Sequence, residues 1–548
     1  MKSIISKKYL LILILVLAFL LRFIGLKSYP AFNADEAALG YNAYSLIKTG
    51  LDEHGNKFPI HFQSFNDYKP GGYVYMILPF VFSFGLNELS VRVPGAFLGV
   101  LSVLLIYLLV KKLFKDERLS LISSLFLAIS PWHIHFSRGG WEVNAATSFI
   151  LLAVLMFLEF VDKKEQKKLL LSFLSFGVSM YTYHSARLIA PLLGIGLLII
   201  YWKELSIFKN FKSYILPTVI FFAFMFPLVL DFTRGAVASR AAGVGLFADP
   251  GPLSRIEEQR REHLNFASPT AKLLHNKLVN YGLAFLENWS EHYHGLFLFL
   301  SGDDIQRNKV PETGQMYLYD LPLILIGLWL MLRKMDKSKL FTLYWLIIAP
   351  FAAALTFQSP HALRAQNMVI PLVIISAFGL NEIIGYASSL KNKNLFKAVT
   401  IFIFLIITWQ FVRYLHMYWV HMSKEYPYSS QYGVKELVEY VSSVEGKYKN
   451  IVITDRYDQP YILYLFYQKY DPAKFQKEHS LTPKDGFGFS TVRSFDKFRF
   501  YSIKFEEMRT EYPNSLIIGT PNEIPDEANI IKRIYGTNGF EYFDVVAN

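Results

Sequence analysis

Cysteine is absent from this 548-residue chain, so disulfide bonds and thiolate chemistry are excluded, and the redox environment stays open. Charged residues are also few. They make up 18% of the chain, against roughly 25% in ordinary soluble domains. The sequence has neither an internal repeat nor a low-complexity tract. The class of the protein must therefore be read from its apolar residues.

Those apolar residues form long runs. The chain is 53% hydrophobic and 16% aromatic, and several runs reach the roughly 20 residues that a helix needs to cross a bilayer. The composition indicates a polytopic α-helical membrane protein. The apolar windows predict eleven spans, at residues 9–26, 93–110, 119–130, 144–161, 169–181, 188–201, 214–230, 321–332, 340–357, 368–384 and 398–413.

Basic residues are placed as membrane topology requires. The formal net charge is +12, but Lys and Arg collect in short loops between apolar runs, which favours a membrane protein over a nucleic-acid binder. We expect the N-terminus and every second loop to be cytoplasmic. The first span follows a basic start without an A-x-A-like cleavage site, so we interpret it as an uncleaved helix in an integral, multi-pass cell-membrane protein.

The remaining segments are predicted to be extracytoplasmic. Within a membrane domain of residues 1–413, the outer loops 27–92 and 231–320 each contain an expected interfacial helix, at 37–49 and 271–286. These helices would roof an outward-facing cavity. Residues 414–548 are predicted to form an extracytoplasmic α/β domain, with strands at KNIVITD, SLIIGTP and EYFDVV.

The first outer loop holds the adjacent acids Asp35 and Glu36. Carboxylates close to hydrocarbon are costly unless they are paired or functional. We expect Asp35 to act as a general base, with Glu36 binding substrate or a metal ion. The alternative is a structural role at a helix N-terminus, where acids are stabilised by the helix dipole and cap exposed N–H groups.

Lys69 follows in the same loop, within the segment NDYKPGG and just before a proline that restricts the backbone. A lysine on the outer side runs against the charge bias of the loops, which favours a phosphate ligand. A snorkelling lysine is the alternative.

The next outer turn, SPWHIHFSRGGWEVN, concentrates polar side chains. His133 and His135 are spaced i, i+2, so these two alone make a poor metal site. Arg138 and Glu142 are spaced i, i+4 and would be able to pair on one helix face. We nevertheless assign both to the site, because arginine suits bidentate recognition of phosphate at a lipid boundary.

Further basic and aromatic residues recur at the outer ends of at least four spans. Taken singly, each is an interfacial anchor; taken together, they indicate an anionic lipid head group as ligand. Arg22, inside the first span, either snorkels outward or points into the same cavity. The residues at the span ends are Tyr181, Tyr183, His184, Arg187, Arg234, Arg240, His361 and Arg364.

The order of these motifs resembles the GT-C membrane glycosyltransferases of the family 39 and 83 type, which include protein O-mannosyltransferases and the aminoarabinose transferase acting on lipid A. The resemblance rests on Arg22, the Asp35-Glu36 pair, the segment 67–99 and the turn 130–144. It covers most of the predicted spans. The tail resembles the periplasmic α/β domain that many of these enzymes carry.

The resemblance implies transfer of a sugar, at the outer face, from a polyprenyl-phosphate-linked donor to an acceptor hydroxyl. The family's base falls on Asp35, with Glu36 beside it, and its phosphate-contacting lysine falls on Lys69. Gly71 stands where the family has the second proline of a Lys-Pro-Pro segment, and Tyr68 stands where an acid often precedes the lysine.

The departure at Tyr68 leaves open whether a divalent metal ion binds, with Asp67 or Glu142 as ligands. The family's second-loop acid falls on Glu142 or is replaced by Asn144. A leaving lipid phosphate needs cationic neighbours such as Lys69, Arg138 and Arg240. One base across the sugar from that phosphate predicts inversion in a single displacement.

Two other functions compete with this one. A transporter or flippase of lipid-linked saccharide is expected to have repeated halves and polar or broken helices at the bilayer midplane, whereas the polar residues here lie at span ends. A non-catalytic scaffold binding a wall polymer would not require the acids. The expected partners are the donor, membrane lipids and a lipid, polysaccharide or protein acceptor, with no nucleic acid.

Overall fold

The computed structural model describes residues 7–64, 67–206, 211–233, 245–390, 392–427, 429, 431–457, 459–484 and 490–548. Helices fill most of the first 416 residues. In chain order these are α1 (Lys7–Phe23), α2 (Ala34–Thr49), α3 (Gly72–Phe84), α4 (Glu88–Phe114), α5 (Glu117–Ile129), α6 (Pro131–Ser137), α7 (Glu142–Lys163), α8 (Gln166–Thr182), α9 (Ala186–Ile200), α10 (Trp202–Leu205), α11 (Phe211–Thr233), α12 (Gly251–Arg261), α13 (Pro269–Leu274), α14 (Lys277–Glu291), α15 (Asp320–Arg333), α16 (Lys337–Ile348), α17 (Phe351–Ala354), α18 (Val369–Ser389) and α19 (Lys393–His416).

Each of the eleven apolar windows falls on a helix or a helix pair of the structure. Among the described residues, five helices are long and apolar enough to cross a membrane, or six if α5 and α6, bent by 56°, form one span. The protein is an integral membrane protein, whereas the predicted count of eleven spans is not confirmed.

The C-terminal residues form shorter elements. The helices are α20 (Met422–Glu425), α21 (Val434–Val444), α22 (Pro460–Tyr467), α23 (Pro472–Glu478) and α24 (Phe505–Glu511). The strands are β1 (His61–Ser64) and β2 (Asp67–Pro70) in the first outer loop, then β3 (Asn450–Thr454), β4 (Ser480–Leu481), β5 (Val492–Phe495), β6 (Phe498–Tyr501), β7 (Ser515–Gly519), β8 (Ile530–Tyr535) and β9 (Glu541–Ala547).

The C-terminal strands make one mixed sheet in the order β4-β5-β6-β3-β7-β9-β8. The central β3 runs parallel to β6 and β7, and the other pairs are antiparallel. One face packs on α24 through Val452, Ile517 and Met508. The three strands expected from KNIVITD, SLIIGTP and EYFDVV are confirmed as β3, β7 and β9.

By contacts, the chain divides into two compact units. Unit 1 comprises Met1–Arg22, Phe97–Ser137 and Glu142–Leu415; unit 2 comprises Phe23–Ala96, Arg138–Trp141 and His416–Asn548. The first outer loop thus belongs to the same unit as the C-terminal sheet, whereas the sequence predicts it as part of a membrane domain ending at residue 413.

In unit 1, Arg22 does not snorkel outward, which is one of the two positions expected from the sequence. Its side chain is fully buried, and its guanidinium donates to the carbonyls of Leu127 and Ala128 and contacts His133 Nδ1 at 2.7 Å. These carbonyls end α5, where the missing next turn would leave them without partners. Arg22 therefore stabilises the bend between α5 and α6.

The two predicted interfacial helices differ from expectation. The helix at 271–286 is interrupted: α13 ends near His275, and Asn276 caps α14 by accepting from the Val279 N–H. The helix at 37–49 is confirmed within α2, but most of α2 is buried instead of presenting one exposed face. The reason is that C-terminal residues cover it, with Phe466 packed against Gly40.

Candidate active site

The start of α2 gives the two adjacent acids, Asp35 and Glu36, different environments. Asn33 caps the helix, since its Oδ1 accepts from the Glu36 N–H at 3.1 Å and its own N–H donates to Glu36 Oε2. This capping box holds the Glu36 carboxylate against the helix end. Asp35, one residue earlier, keeps a side chain that is 27% exposed, against 1% for Glu36. Asp35 is therefore the accessible member of the pair.

Asp35 forms an ion pair with Lys69. Lys69 lies on β2, which pairs with β1 in a hairpin where Lys69 faces Phe62. The hairpin ends at Gly71, whose N–H donates to the Ile60 carbonyl at 2.8 Å. A proline at Gly71 would remove this donor, so the departure from the Lys-Pro-Pro pattern fits the hydrogen bonding of this turn. The structure thus brings together the two residues that the sequence places at the centre of the chemistry.

Glu36 is committed to a buried ion pair with Arg92. Its two oxygens accept from Arg92 Nε and Nη2, each at 2.7 Å, and Oε1 also accepts from the Gly140 N–H at 2.8 Å. Arg92 is fully buried and donates to the carbonyls of Leu26, Pro30 and Ala31. These contacts hold the chain before α2, its first turn and the residue Gly140 together.

Arg92 was not identified from the sequence. Its partner, Glu36, lies 56 residues earlier in the chain, and only the structure places the two side chains together. The one feature of the sequence that pointed to Arg92 was its place in segment 67–99, which carries part of the family resemblance.

Arg138, expected to bind phosphate, is fully buried in unit 2. Its Nε donates to the Tyr418 hydroxyl at 2.9 Å, and its Nη2 donates to the carbonyls of Ile24 and Tyr29. The guanidinium also lies 4.8 Å from the Trp419 ring centre. Much of its donor capacity is therefore directed at the protein.

A second buried acid lies behind the Asp35–Lys69 pair. Glu53 is fully buried, and its backbone N–H donates a hydrogen bond to Asn42 Oδ1 at 3.0 Å. Burial, reinforced by Asp52 and opposed by Lys69, raises the pKa of Glu53 to about 8. Its neighbour His54, 3.7 Å away, is also buried, which lowers the pKa of that imidazole to about 3. At neutral pH both side chains are therefore uncharged.

The pKa of Glu53 predicts how stability depends on pH. Between pH 4.5 and about 8 the folded protein keeps a proton on Glu53 that the unfolded chain has lost, so stability falls as pH rises through that range. We expect wild type to lose about 1 kcal/mol between pH 7 and pH 8, a range in which His54 is neutral in the folded protein and mostly neutral in the unfolded chain. The Glu53→Gln variant should lack this loss.

Chemical unfolding of the purified protein at the two pH values measures the difference. Glu439→Gln, at an exposed position on α21, serves as control and should keep the wild-type slope. Parallel slopes for wild type and Glu53→Gln would refute the assignment of the titration to Glu53.

Three predicted binding residues meet in unit 1. Tyr183, His184 and Arg364 line one cavity of about 200 Å³ between the α8–α9 turn and the segment after α17. Arg364 donates to the Thr356 hydroxyl at 2.7 Å. His361 lies apart from that cavity, with its Nδ1 3.7 Å from the buried carboxylate of Asp303.

Glu142 is the first residue of α7 and is 8% exposed. Asn144, the other candidate for the second-loop acid, contacts the Gln366 side chain at 3.4 Å. Both Glu142 and Asn144 therefore remain candidates for the family's second-loop acid. Arg234, Arg240 and the side chain of Asp67 lie outside the described part of the chain. Within that part, no group of three or more histidines or acids is placed to hold a metal ion, so the metal expectation stays a prediction.

Comparison with known proteins shows a fold and a partial match to one family model. Residues 69–230 match the family model described as dolichyl-phosphate-mannose-protein mannosyltransferase. An uncharacterised protein of Aquifex aeolicus is 27% identical over 187 residues, which is 34% of this chain and 36% of that protein's length.

The solved structures match over much more of the chain. The apo ArnT structure from Cupriavidus metallidurans superposes with a TM-score of 0.54 at 11% identity, covering 98% of this chain and 97% of that one. The chain has the GT-C glycosyltransferase fold. AglB from Archaeoglobus fulgidus, an oligosaccharyltransferase, matches with a TM-score of 0.52 at 13% identity over 84% of this chain and 63% of its own.

The GT-C fold confirms the fold expected from the motif order. The ArnT structure was also solved with undecaprenyl phosphate bound, and that form superposes with a TM-score of 0.52 at 11% identity over 99% of this chain and 98% of that one. The AglB structure holds a dolichol-phosphate and an inhibitory peptide. Two structures that share this architecture thus contain a bound lipid phosphate.

Proposed function

We propose that this GT-C protein transfers a sugar from a polyprenyl-phosphate-linked donor to an acceptor hydroxyl at the outer face of the membrane, with inversion. The observation that carries the proposal is the Asp35–Lys69 pair, a partly exposed carboxylate on α2 and an ammonium group on β2. The GT-C fold and the lipid phosphates bound in two structural relatives support it.

The two charged groups supply complementary parts of the reaction. Asp35 accepts the proton of the acceptor hydroxyl as its oxygen bonds to the anomeric carbon. The bond between that carbon and the phosphate oxygen breaks, and the electron pair leaves with the polyprenyl phosphate. Lys69 stabilises that anion. Because Lys69 is bound to Asp35 before donor arrives, donor phosphate competes for the ammonium group and frees the base.

Glu36 and Arg138 fit supporting roles better than direct contact with substrate. Glu36 holds Arg92 and the start of α2, which positions Asp35. Arg138 holds the carbonyls of Ile24 and Tyr29 before α2. Tyr183, His184 and Arg364, which share a cavity, remain the proposed contacts to the lipid head group.

A transfer assay tests the proposal. Purified protein in detergent is incubated with a panel of polyprenyl-phosphate sugars, with and without candidate acceptors, and release of free polyprenyl phosphate is followed. Release that requires an acceptor is expected with one donor. Movement of the lipid across vesicles without consumption of any donor would replace the transferase by a transporter.

The variant Lys69→Met separates binding from proton transfer in the same assay. We expect the KM for donor to rise and kcat/KM to fall about a hundredfold, because the leaving phosphate loses its cation. Lys48→Met is the control, since Lys48 is an exposed lysine at the other end of α2. An unchanged KM for donor in Lys69→Met would contradict the phosphate contact.

A further inference from the structure

The last long apolar helix, α19, ends in a π-helical turn. The turn spans Met417–His421, and it closes where the Met422 N–H donates to the Met417 carbonyl, five residues earlier. In a regular α-helix, residues five apart point about 140° away from each other. The wider π-turn instead brings the side chains of His416 and His421 together. Such turns are rare and occur frequently at functional sites.

The two imidazole rings face each other. Their Nε2 atoms lie 3.2 Å apart, and the ring planes are inclined by 68°. Two histidine nitrogens bound to one tetrahedral zinc ion, at about 2.0 to 2.1 Å each, lie about 3.3 Å apart. The two rings are therefore already spaced as ligands of a single ion. We call them the His416–His421 pair. Both residues belong to unit 2.

Glu425, the last residue of α20, orients one ring of the pair. Its Oε1 lies 3.2 Å from His421 Nδ1, one helical turn away. A carboxylate in this position favours a proton on Nδ1, which leaves the lone pair of Nε2 available on the side of His416. Histidines that bind metal ions almost always have such a partner on their other ring nitrogen. Glu425 is thus placed to support a metal ligand.

The pair is open to ions from solution. His416 is exposed, and the side chains of His421 and Glu425 are 40% and 41% exposed. Two histidines are fewer than the groups of three that are lacking among the described residues. Water would therefore complete the coordination shell of a bound ion, and such an ion would exchange with solution.

We propose that the His416–His421 pair binds a divalent transition metal ion through both Nε2 atoms. Both rings then carry their proton on Nδ1. Imidazole nitrogen suits zinc, copper and nickel, whereas magnesium and calcium prefer oxygen ligands. The site is separate from Asp67 and Glu142, the metal ligands that the family resemblance leaves open. It does not depend on whether the protein transfers a sugar.

The same π-turn contacts the chain before α2. The Tyr418 hydroxyl accepts from Arg138 Nε at 2.9 Å, and the Trp419 ring stacks on Tyr29 with the ring centres 4.9 Å apart. An ion on the His416–His421 pair fixes the turn and, with it, these contacts. Its effect is to stabilise the folded protein, because it binds a geometry that the unfolded chain lacks.

Residue-resolved carbethoxylation of the purified full chain tests the site. Diethyl pyrocarbonate modifies accessible imidazole nitrogens, and mass spectrometry measures each histidine separately. We expect micromolar Zn²⁺ to slow the modification of His416 and His421 about tenfold, because the ion occupies both Nε2 lone pairs. Mg²⁺ at the same concentration should have no effect. The exposed His294, just after α14, is the internal control and should react at one rate throughout.

Variants test whether the ion bridges the two rings. His416→Ala should remove the Zn²⁺ protection of His421, and His421→Ala should remove that of His416. Glu425→Gln should raise the Zn²⁺ concentration needed for protection about tenfold. His275→Ala is the matched control, since it removes one ring of another facing pair, His263 and His275, whose Nε2 atoms lie 3.0 Å apart. It should leave the protection at the π-turn unchanged.

Equal modification rates with and without Zn²⁺ would overturn the proposal and leave an ordinary hydrogen bond between the rings. Protection of His421 that persists in His416→Ala, or equal protection by Mg²⁺, would also overturn it. An unchanged Zn²⁺ dependence in Glu425→Gln would refute the role of Glu425. As a second measurement, Zn²⁺ should raise the Tm of wild type more than that of His416→Ala. None of these readouts uses sugar transfer, so a failed transfer assay would not affect them.

Discussion

Asparagine in place of Asp35 is expected to lower sugar transfer about a thousandfold while leaving expression and folding intact. The amide keeps the size of the side chain but cannot accept the acceptor's proton. The Asp35 side chain is 27% exposed, against 1% for Glu36, so its replacement should cost less stability than the loss of the buried Glu36 carboxylate. The rate of polyprenyl phosphate release by wild type and Asp35→Asn, measured with saturating donor, checks the prediction.

The control for Asp35→Asn is Asp304→Asn, which removes an exposed acid from the segment between α14 and α15. Donor binding should survive in Asp35→Asn, since Lys69 is retained. Full transfer activity in the variant would refute the assignment of Asp35 as base, and an unfolded variant would show that the pair with Lys69 is structural.

Glutamine in place of Glu36 is expected to destabilise the folded protein by about 3 to 5 kcal/mol, because it leaves the Arg92 guanidinium buried without a counter-charge. Both members of this pair are almost fully buried. The Gly140 N–H also loses a charged acceptor. Chemical unfolding in detergent measures the change.

The matched comparison is the Lys504–Glu507 pair in the same unit, whose side chains are 71% and 63% exposed. Lys504→Met should cost less than about 1 kcal/mol. The double variant Glu36→Gln with Arg92→Met should recover part of the stability lost in the single variant, because no buried charge then remains. A cost for Glu36→Gln no larger than that of Lys504→Met would contradict a buried, strongly coupled pair.

Local patterns predicted the elements and the accessible part of the site. Apolar length identified the helices, because a span needs a continuous apolar run. Asp35 and Lys69 were found because a charged residue at a membrane face is costly and stands out. The break between α13 and α14 was missed, since Asn276 continues a polar, helix-compatible pattern until its side chain is seen to cap the next helix.

Contacts between residues that are far apart in the sequence could not be predicted from local patterns. Arg138 reads as a phosphate ligand in its turn, yet its aromatic neighbours Tyr418 and Trp419 come 280 residues later. Glu53 stands in a polar segment, DEHGN, that looks solvent-exposed, and its burial depends on contacts such as the 3.3 Å approach of His54 to His479. The sequence therefore named the catalytic candidates better than the residues that hold them.

The burial of α2 beneath C-terminal residues also bears on synthesis. The Tyr41 hydroxyl binds the Tyr470 carbonyl, 429 residues further along, and Gln476 bonds to Ser45 and Thr49. At about 5 to 20 residues per second, a ribosome needs roughly 20 to 90 s to supply these partners. During that interval the residues of α2 that these partners cover in the finished protein stay uncovered. Assembly of this loop is thus a late event in biogenesis, and a chain truncated before residue 460 would present an incomplete loop to quality-control proteases.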